Sequence, residues 1–215
     1  MLRVKQFVFN PFEESTYVAA DEKTGDAIVI DPGMFRDTDQ QLFDNFVSEQ
    51  KIKITQIVNT HMHVDHCFGA NWVKSKYGVK LAANKGDAEY GRSAEIQARR
   101  FGMHRDMAPV EIDVELEDGD IIEVGESRLK VLHVPGHSQG GIALYSKEDG
   151  LLFSGDSLFQ GSIGRTDFEG GNHEQLIESI RKKLLTLPQD TIVLPGHGPF
   201  TTIGDEIKYN PYLKD

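Results

Sequence analysis

Lys53-Ile54-Thr55-Gln56-Ile57-Val58-Asn59-Thr60-His61-Met62-His63-Val64-Asp65-His66 is the stretch that decides how this chain is read. Its first eight residues form a short β-branched, apolar run, which predicts a buried strand that delivers the histidines to its own end. In extended backbone, residues two apart face the same way, so His61 and His63 point to one side and can grip one ion together. Asp65 and His66 fall at the expected start of a helix over 65–77, from where they can turn toward a second ion. An aspartate there also suits a helix cap. A cap, however, explains neither the three flanking histidines nor their spacing.

Two further words repeat one local design. His137 in Pro135-Gly136-His137-Ser138 and His197 in Pro195-Gly196-His197-Gly198 each follow a Pro-Gly pair after a strand-like run, at 129–134 and 191–194. Each is therefore displayed on a tight turn at a strand end. A third run, 151–154, leads into Gly155-Asp156 in the same manner. Strands that all end in potential ligands predict convergence on one rim. Imidazole and carboxylate are ligands shared by zinc, iron and manganese, and the set His61, His63, Asp65, His66, His137, Asp156 and His197 can hold two ions with positions left open. Asp156 is the natural bridge, since a carboxylate can lend oxygen to both. A hydrolytic metalloenzyme is the leading expectation.

With these words in place the chain resembles the metallo-β-lactamase superfamily, and within it the short, glyoxalase II-like thioester hydrolases, over nearly its whole length. Asp31 in Val29-Ile30-Asp31-Pro32-Gly33 matches the superfamily's first motif, whose aspartate stands behind the ligands. Phe153-Ser154-Gly155-Asp156-Ser157-Leu158-Phe159 and Gly161-Ser162-Ile163-Gly164-Arg165-Thr166-Asp167-Phe168 match the stretch that carries the bridging aspartate and then a basic substrate contact. The resemblance implies that His61, His63 and His137 hold one metal, that Asp65, His66 and His197 hold the other, and that Asp156 bridges. It implies a four-layer αββα sandwich, where periodicity alone supports only a layered α/β or α+β fold. It also makes Arg165 the substrate contact, with Phe168 at the place of a tyrosine found in long members. Long glyoxalase II enzymes append a helical domain that helps hold glutathione; residues 1–215 are read as one domain without it.

The implied chemistry is hydrolysis of a hydroxyacyl thioester such as S-lactoylglutathione by a hydroxide held between two divalent ions, zinc first, with iron or manganese as alternatives. Asp65 can take the nucleophile's proton, and a thiolate with a conjugate-acid pKa near ~8.5 leaves without a dedicated acid. Two other activities of the same superfamily compete. Persulfide dioxygenases have a very similar Gly-Arg-Thr-Asp-Phe stretch and use one iron, whose ligands here would be His61, His137 and Asp156. Lactonases pass through the same kind of intermediate as thioesterases. β-Lactamases usually place a cysteine where Asp156 stands, which argues against that activity.

The formal net charge of −11 argues against a nucleic-acid surface, because phosphate binding needs clustered Lys and Arg. No apolar run reaches the ~18 residues of a membrane helix, and the amino terminus lacks a signal-peptide core. The single cysteine, Cys67, suits a reducing cytoplasm and reads as a small buried filler, not a ligand. His104, His133 and His173 read as structural or surface histidines. Helices are expected at 38–49, 84–100 and 173–187. The sequence leaves the oligomeric state open.

Overall fold

The computed structural model describes residues 1–103 and 106–214; His104 therefore lies outside the described residues. Two mixed sheets are stacked face to face. The first runs in the order β1 (Leu2–Phe9), β2 (Glu14–Asp21), β3 (Asp26–Ile30), β4 (Lys53–Val58), β5 (Leu81–Ala83) and β6 (Val114–Glu115). The second runs β14 (Thr201–Thr202), β13 (Ile192–Pro195), β10 (Leu151–Gly155), β9 (Ile142–Ser146), β8 (Ser127–His133) and β7 (Ile121–Val124). A small hairpin joins β11 (Leu158–Phe159) to β12 (Ser162–Ile163).

The period of two in the strands sorts their side chains between layers. In β3, Ile28 and Ile30 enter a core shared with Leu129, Val131, Leu144 and Phe153 of the opposite sheet. Ala27 and Val29 face the other way, toward Phe43 and Val47 of α1 (Asp37–Glu49) and Val73 of α2 (Ala70–Tyr77). The second sheet does the same. Leu132, Ala143 and Leu152 pack outward on Leu176 of α5 (His173–Ser179) and Ile203 of α6 (Ile203–Tyr209). Helix, sheet, sheet and helix follow one another: the αββα sandwich.

Three helices differ from expectation, two of them because side chains or remote backbone take carbonyls that a continuous helix would need. The helix expected over 65–77 is a 3₁₀ turn at Val64–His66 followed, after a break, by α2. Asn10 Nδ2 donates to the Asp65 carbonyl at 3.0 Å and Asn59 Nδ2 to that of His66 at 2.8 Å, which frees the ligand segment from helical geometry. The stretch over 84–100 divides into a 3₁₀ turn, α3 (Ala88–Arg92) and α4 (Ala94–Arg100). Here the Gly91 carbonyl accepts from Val110 N, and that of Tyr90 from Gln97 Nε2 at 2.6 Å. The helix from His173 is capped by the Asn172 side chain and ends in a π turn at Ile180–Leu184, short of residue 187. Among the described residues no helix is long and apolar enough to cross a membrane.

Candidate metal centre

Asp31 follows β3, His61 and His63 follow β4, His137 follows β8, Asp156 follows β10 and His197 follows β13. Parallel pairing of β3 with β4 and of β10 with β13 turns these carboxyl ends to one rim. The two sheets are tied there by Ile142 N donating to the Thr60 carbonyl at 2.8 Å. Two glycines make the closeness possible. A Cβ on Gly196 would lie 2.2 Å from Asp156 Oδ1, and one on Gly155, whose φ is +50°, 2.4 Å from Thr60 Oγ1.

The rim gathers two groups of donor atoms. His63 Nδ1 lies 2.9 Å from His137 Nε2, which lies 3.3 Å from His61 Nε2. Beside them, His66 Nε2 and His197 Nε2 are 3.3 Å apart, and Asp65 Oδ2 is 3.3 Å from His197 Nε2 and 3.7 Å from His66 Nε2. Asp156 spans both groups. Its Oδ1 is 3.5 Å from His66 Nε2, and its Oδ2 is 3.7 Å from His137 Nε2 and 3.6 Å from His197 Nε2. Asp31 joins His61 and His66 in a third cluster.

The donors fit a metal. Zinc–nitrogen bonds of ~2.1 Å in a tetrahedron place two ligating nitrogens ~3.4 Å apart, close to the separations here. The Asp156 Oδ1 atom is buried without a hydrogen-bond partner, as a ligand oxygen awaiting a cation would be. For His137 and His197 the far ring nitrogen is already engaged, which fixes the tautomer that leaves the inner nitrogen free to ligate. His137 Nδ1 meets the Arg165 carbonyl at 2.7 Å, and His197 Nδ1 meets that of Phe12 at 2.9 Å. His66 Nδ1 stands 3.1 Å from Asp31 Oδ2. Asp31, at φ +51°, accepts from Thr60 N and Thr60 Oγ1, both at 2.6 Å, and Thr60 Oγ1 lies 3.1 Å from His61 Nδ1.

The two groups differ in charge. Burial pushes the His61 ring well below its ordinary range for protonation, and the rings of His66 and His63 add to that. Burial and the His137 ring likewise hold His63 down to about 3. At His66 burial lowers the value, but Asp65, Asp156 and Asp31 outweigh it and hold the ring well above 6.5. At His197 burial also lowers, and Asp156 and Asp65 again prevail. His61 and His63 are thus held neutral, whereas His66 and His197 hold on to protons where a cation would sit.

A cavity of about 610 Å³ opens over these atoms. His63, Asp65, His137, Asp156 and His197 contribute to its floor; Phe12, Phe101, Phe168 and Tyr90 give it aromatic walls, with Arg100 and Arg165 among the lining. The Phe168 ring stands edge-on to His63 at 5.6 Å. Arg165 is placed differently from a free substrate contact. Its Nε and Nη2 each donate to Asp167 at 2.7 Å, and its guanidinium lies 4.0 Å over the Phe168 ring.

The sequence reading missed several residues that shape the site. Asp87 is buried; it accepts from Met62 N at 3.2 Å, Ser138 Oγ at 2.7 Å and Gly140 N at 2.6 Å, so one carboxylate clamps the His61–His63 segment to the His137 turn. Glu14 is fully buried behind Asp65 and Asp31, and burial above all pushes its carboxyl well above the usual range. Neither neighbours a ligand in sequence, and a lone acidic residue carries no signal of its own. Cys67 is buried with its thiol pushed up by burial, outside the ligand set, as expected of a filler. His133 lies at the end of β8 with its ring on the Gln139 carbonyl, and exposed His173 opens α5.

Residues 10–197 match the metallo-β-lactamase superfamily. The chain belongs to that superfamily. A hydroxyacylglutathione hydrolase, GloC of Haemophilus influenzae, is 38% identical over 200 residues, 90% of this chain and 89% of that protein. Among solved structures, BLEG-1, a B3 metallo-β-lactamase, superposes with a TM-score of 0.90 at 32% identity, covering 99% of this chain and 100% of that one. TTHA1623 in a di-iron-bound form gives 0.85 at 32% identity, covering 97% and 100%. As a member of the superfamily the chain is a hydrolase in kind, with a His/Asp cluster built to bind metal.

Proposed function

We propose that this superfamily member is a binuclear metal-dependent hydrolase of thioesters, with hydroxyacyl thioesters of the S-lactoylglutathione kind as its substrates. One observation carries the reading: Asp156 reaches both donor groups, which makes a pair of ions sharing one carboxylate the natural occupant. His61, His63 and His137 would hold one ion, and Asp65, His66 and His197 the other. Zinc suits the mixed nitrogen and oxygen donors, as do iron and manganese. The likeness to GloC supports the thioester class, and the likeness to di-iron TTHA1623 supports two ions.

Bound divalent ions supply Lewis acidity, lowering the pKa of water and polarising a carbonyl oxygen. The chain supplies the rest. The aromatic walls exclude bulk water and orient the acyl carbon over the rim. Asp65, whose Oδ2 faces His197, takes the proton from the attacking water as the new carbon–oxygen bond forms. The carbon–sulfur bond then breaks, the thiolate leaves with the bonding pair and picks up that proton, and the products are an acid and a thiol.

Metal-loaded protein assayed against S-lactoylglutathione, unrelated thioesters, a simple lactone and glutathione persulfide with an oxygen electrode tests the reading. Thioester cleavage is expected to dominate. Oxygen consumption on the persulfide, with one iron per chain, would replace it with the dioxygenase reading. The fit to BLEG-1 earns a chromogenic β-lactam a place in the same panel, and preferential ring opening would overturn the thioesterase assignment.

A further inference from the structure

Among the described residues two arginines line the cavity, and one of them, Arg165, is already paired. Arg165 is held by Asp167 through both oxygens and lies on Phe168. Arg100, exposed at the end of α4, makes no ion pair among the described residues. Its direction is fixed by the helix. Gln97, Arg100 and Phe101 stand three and four residues apart, on one helix face, and all three line the cavity. Gln97 anchors that face: its Oε1 accepts from Val64 N at 3.2 Å, inside the ligand segment, and its Nε2 donates to the Tyr90 carbonyl. Phe101 packs edge-on to Phe12 at 5.2 Å and to Phe168 at 6.0 Å, so an aromatic wall runs from the mouth to His63.

We infer that Arg100 is the specificity-determining cation of this site, binding a carboxylate on the thiol portion of the thioester while the acyl arm lies against Phe12, Phe101 and Phe168. The inference rests on the thioesterase reading for the reaction, but not for the binding. A carboxylate approaching Arg165 must compete with Asp167 for a planar fork already filled at both prongs, whereas Arg100 has no acceptor among the described residues.

The test uses metal-loaded protein and matched probes. 3-(Phenethylthio)propanoate and its neutral amide cannot be hydrolysed and report binding by calorimetry. The phenylacetyl thioesters of 3-mercaptopropionate and of its amide report turnover. Arg100→Ala and Arg100→Gln are expected to weaken the carboxylate about tenfold and leave the amide unchanged, with Arg100→Lys in between, because a partly exposed charge-assisted contact is worth about that factor. Arg165→Ala is expected to change the carboxylate's affinity less. On the thioesters the Arg100 changes should raise KM for the acid alone and leave kcat in place. Wild-type protein that binds carboxylate and amide equally, or Arg100 variants that weaken both alike, would overturn the inference. Binding of the carboxylate through Arg100 without thioester turnover would instead leave this site standing and remove the proposed reaction.

Discussion

Asp156 and Asp31 are both aspartates at strand ends, yet their surroundings assign them different work. Asp156 faces both donor groups with a buried, unpartnered oxygen, while Asp31 spends its oxygens on Thr60 and stands behind His66. Asp156→Ala is expected to abolish metal binding and hydrolysis together, because each ion loses a ligand. Asp31→Asn, which tolerates the left-handed backbone at that position, should cost ~10 to 100-fold in metal affinity, the usual effect of losing an outer partner. Elemental analysis of the two variants, with a chelator competition, checks this; retained metal in Asp156→Ala would remove the bridge.

The charge asymmetry has a signature of its own. His61 and His63 are neutral near pH 7 and can accept a cation without losing a proton. His66 and His197 have raised values, so below those values a cation must displace protons. Metal affinity on the Asp65 side should therefore fall as pH falls through those raised values, and loading there should release protons into an indicator dye. Equal release for both equivalents of metal would contradict the asymmetry.

At the scale of elements, the strand ends were legible because each ligand follows an apolar run and a turn residue, a pattern that a strand and its exit must both satisfy. The helices were less legible. Residues 84–100 look helical by content, but Val110 and Gln97 draw off the Gly91 and Tyr90 carbonyls, partners that no local pattern announces. Arg165 shows the same limit for the site: a motif located it, and only the structure placed Asp167 in its fork. Asp87 is the element-scale clamp. Asp87→Ala leaves Met62 N, Ser138 Oγ and Gly140 N without their acceptor, so the His61–His63 segment and the His137 turn should drift apart. Chelator titration should then find the ion at His61, His63 and His137 weakened ~10 to 100-fold, with the Asp65 side less affected. Loss of both ions to the same extent would mean a general collapse instead.

Across the whole molecule, the sandwich is also tied at the end where β2 meets the β7–β8 turn. Asp21 accepts from Ser127 Oγ at 2.7 Å and from the backbone of Lys23 and Thr24, and Ser127's hydroxyl first of all holds its carboxyl down to about 2 from 3.8. A depressed carboxylate stabilises the fold above its unfolded pKa and ceases to as pH falls through the folded one. The stability difference between wild type and Asp21→Asn should thus stay constant down to about pH 4 and close between about pH 4 and 2. A gap that does not change with acid would assign Asp21 no such linkage. The αββα layering followed from period-two strands together with the family resemblance, since periodicity alone did not say which sheet faces which helix. The central claim is that both donor groups bind metal and share Asp156. Elemental analysis of protein purified without chelators and then saturated with zinc tests it most directly: about two ions per chain are predicted, and a value that stays at one under saturating metal would contradict the account.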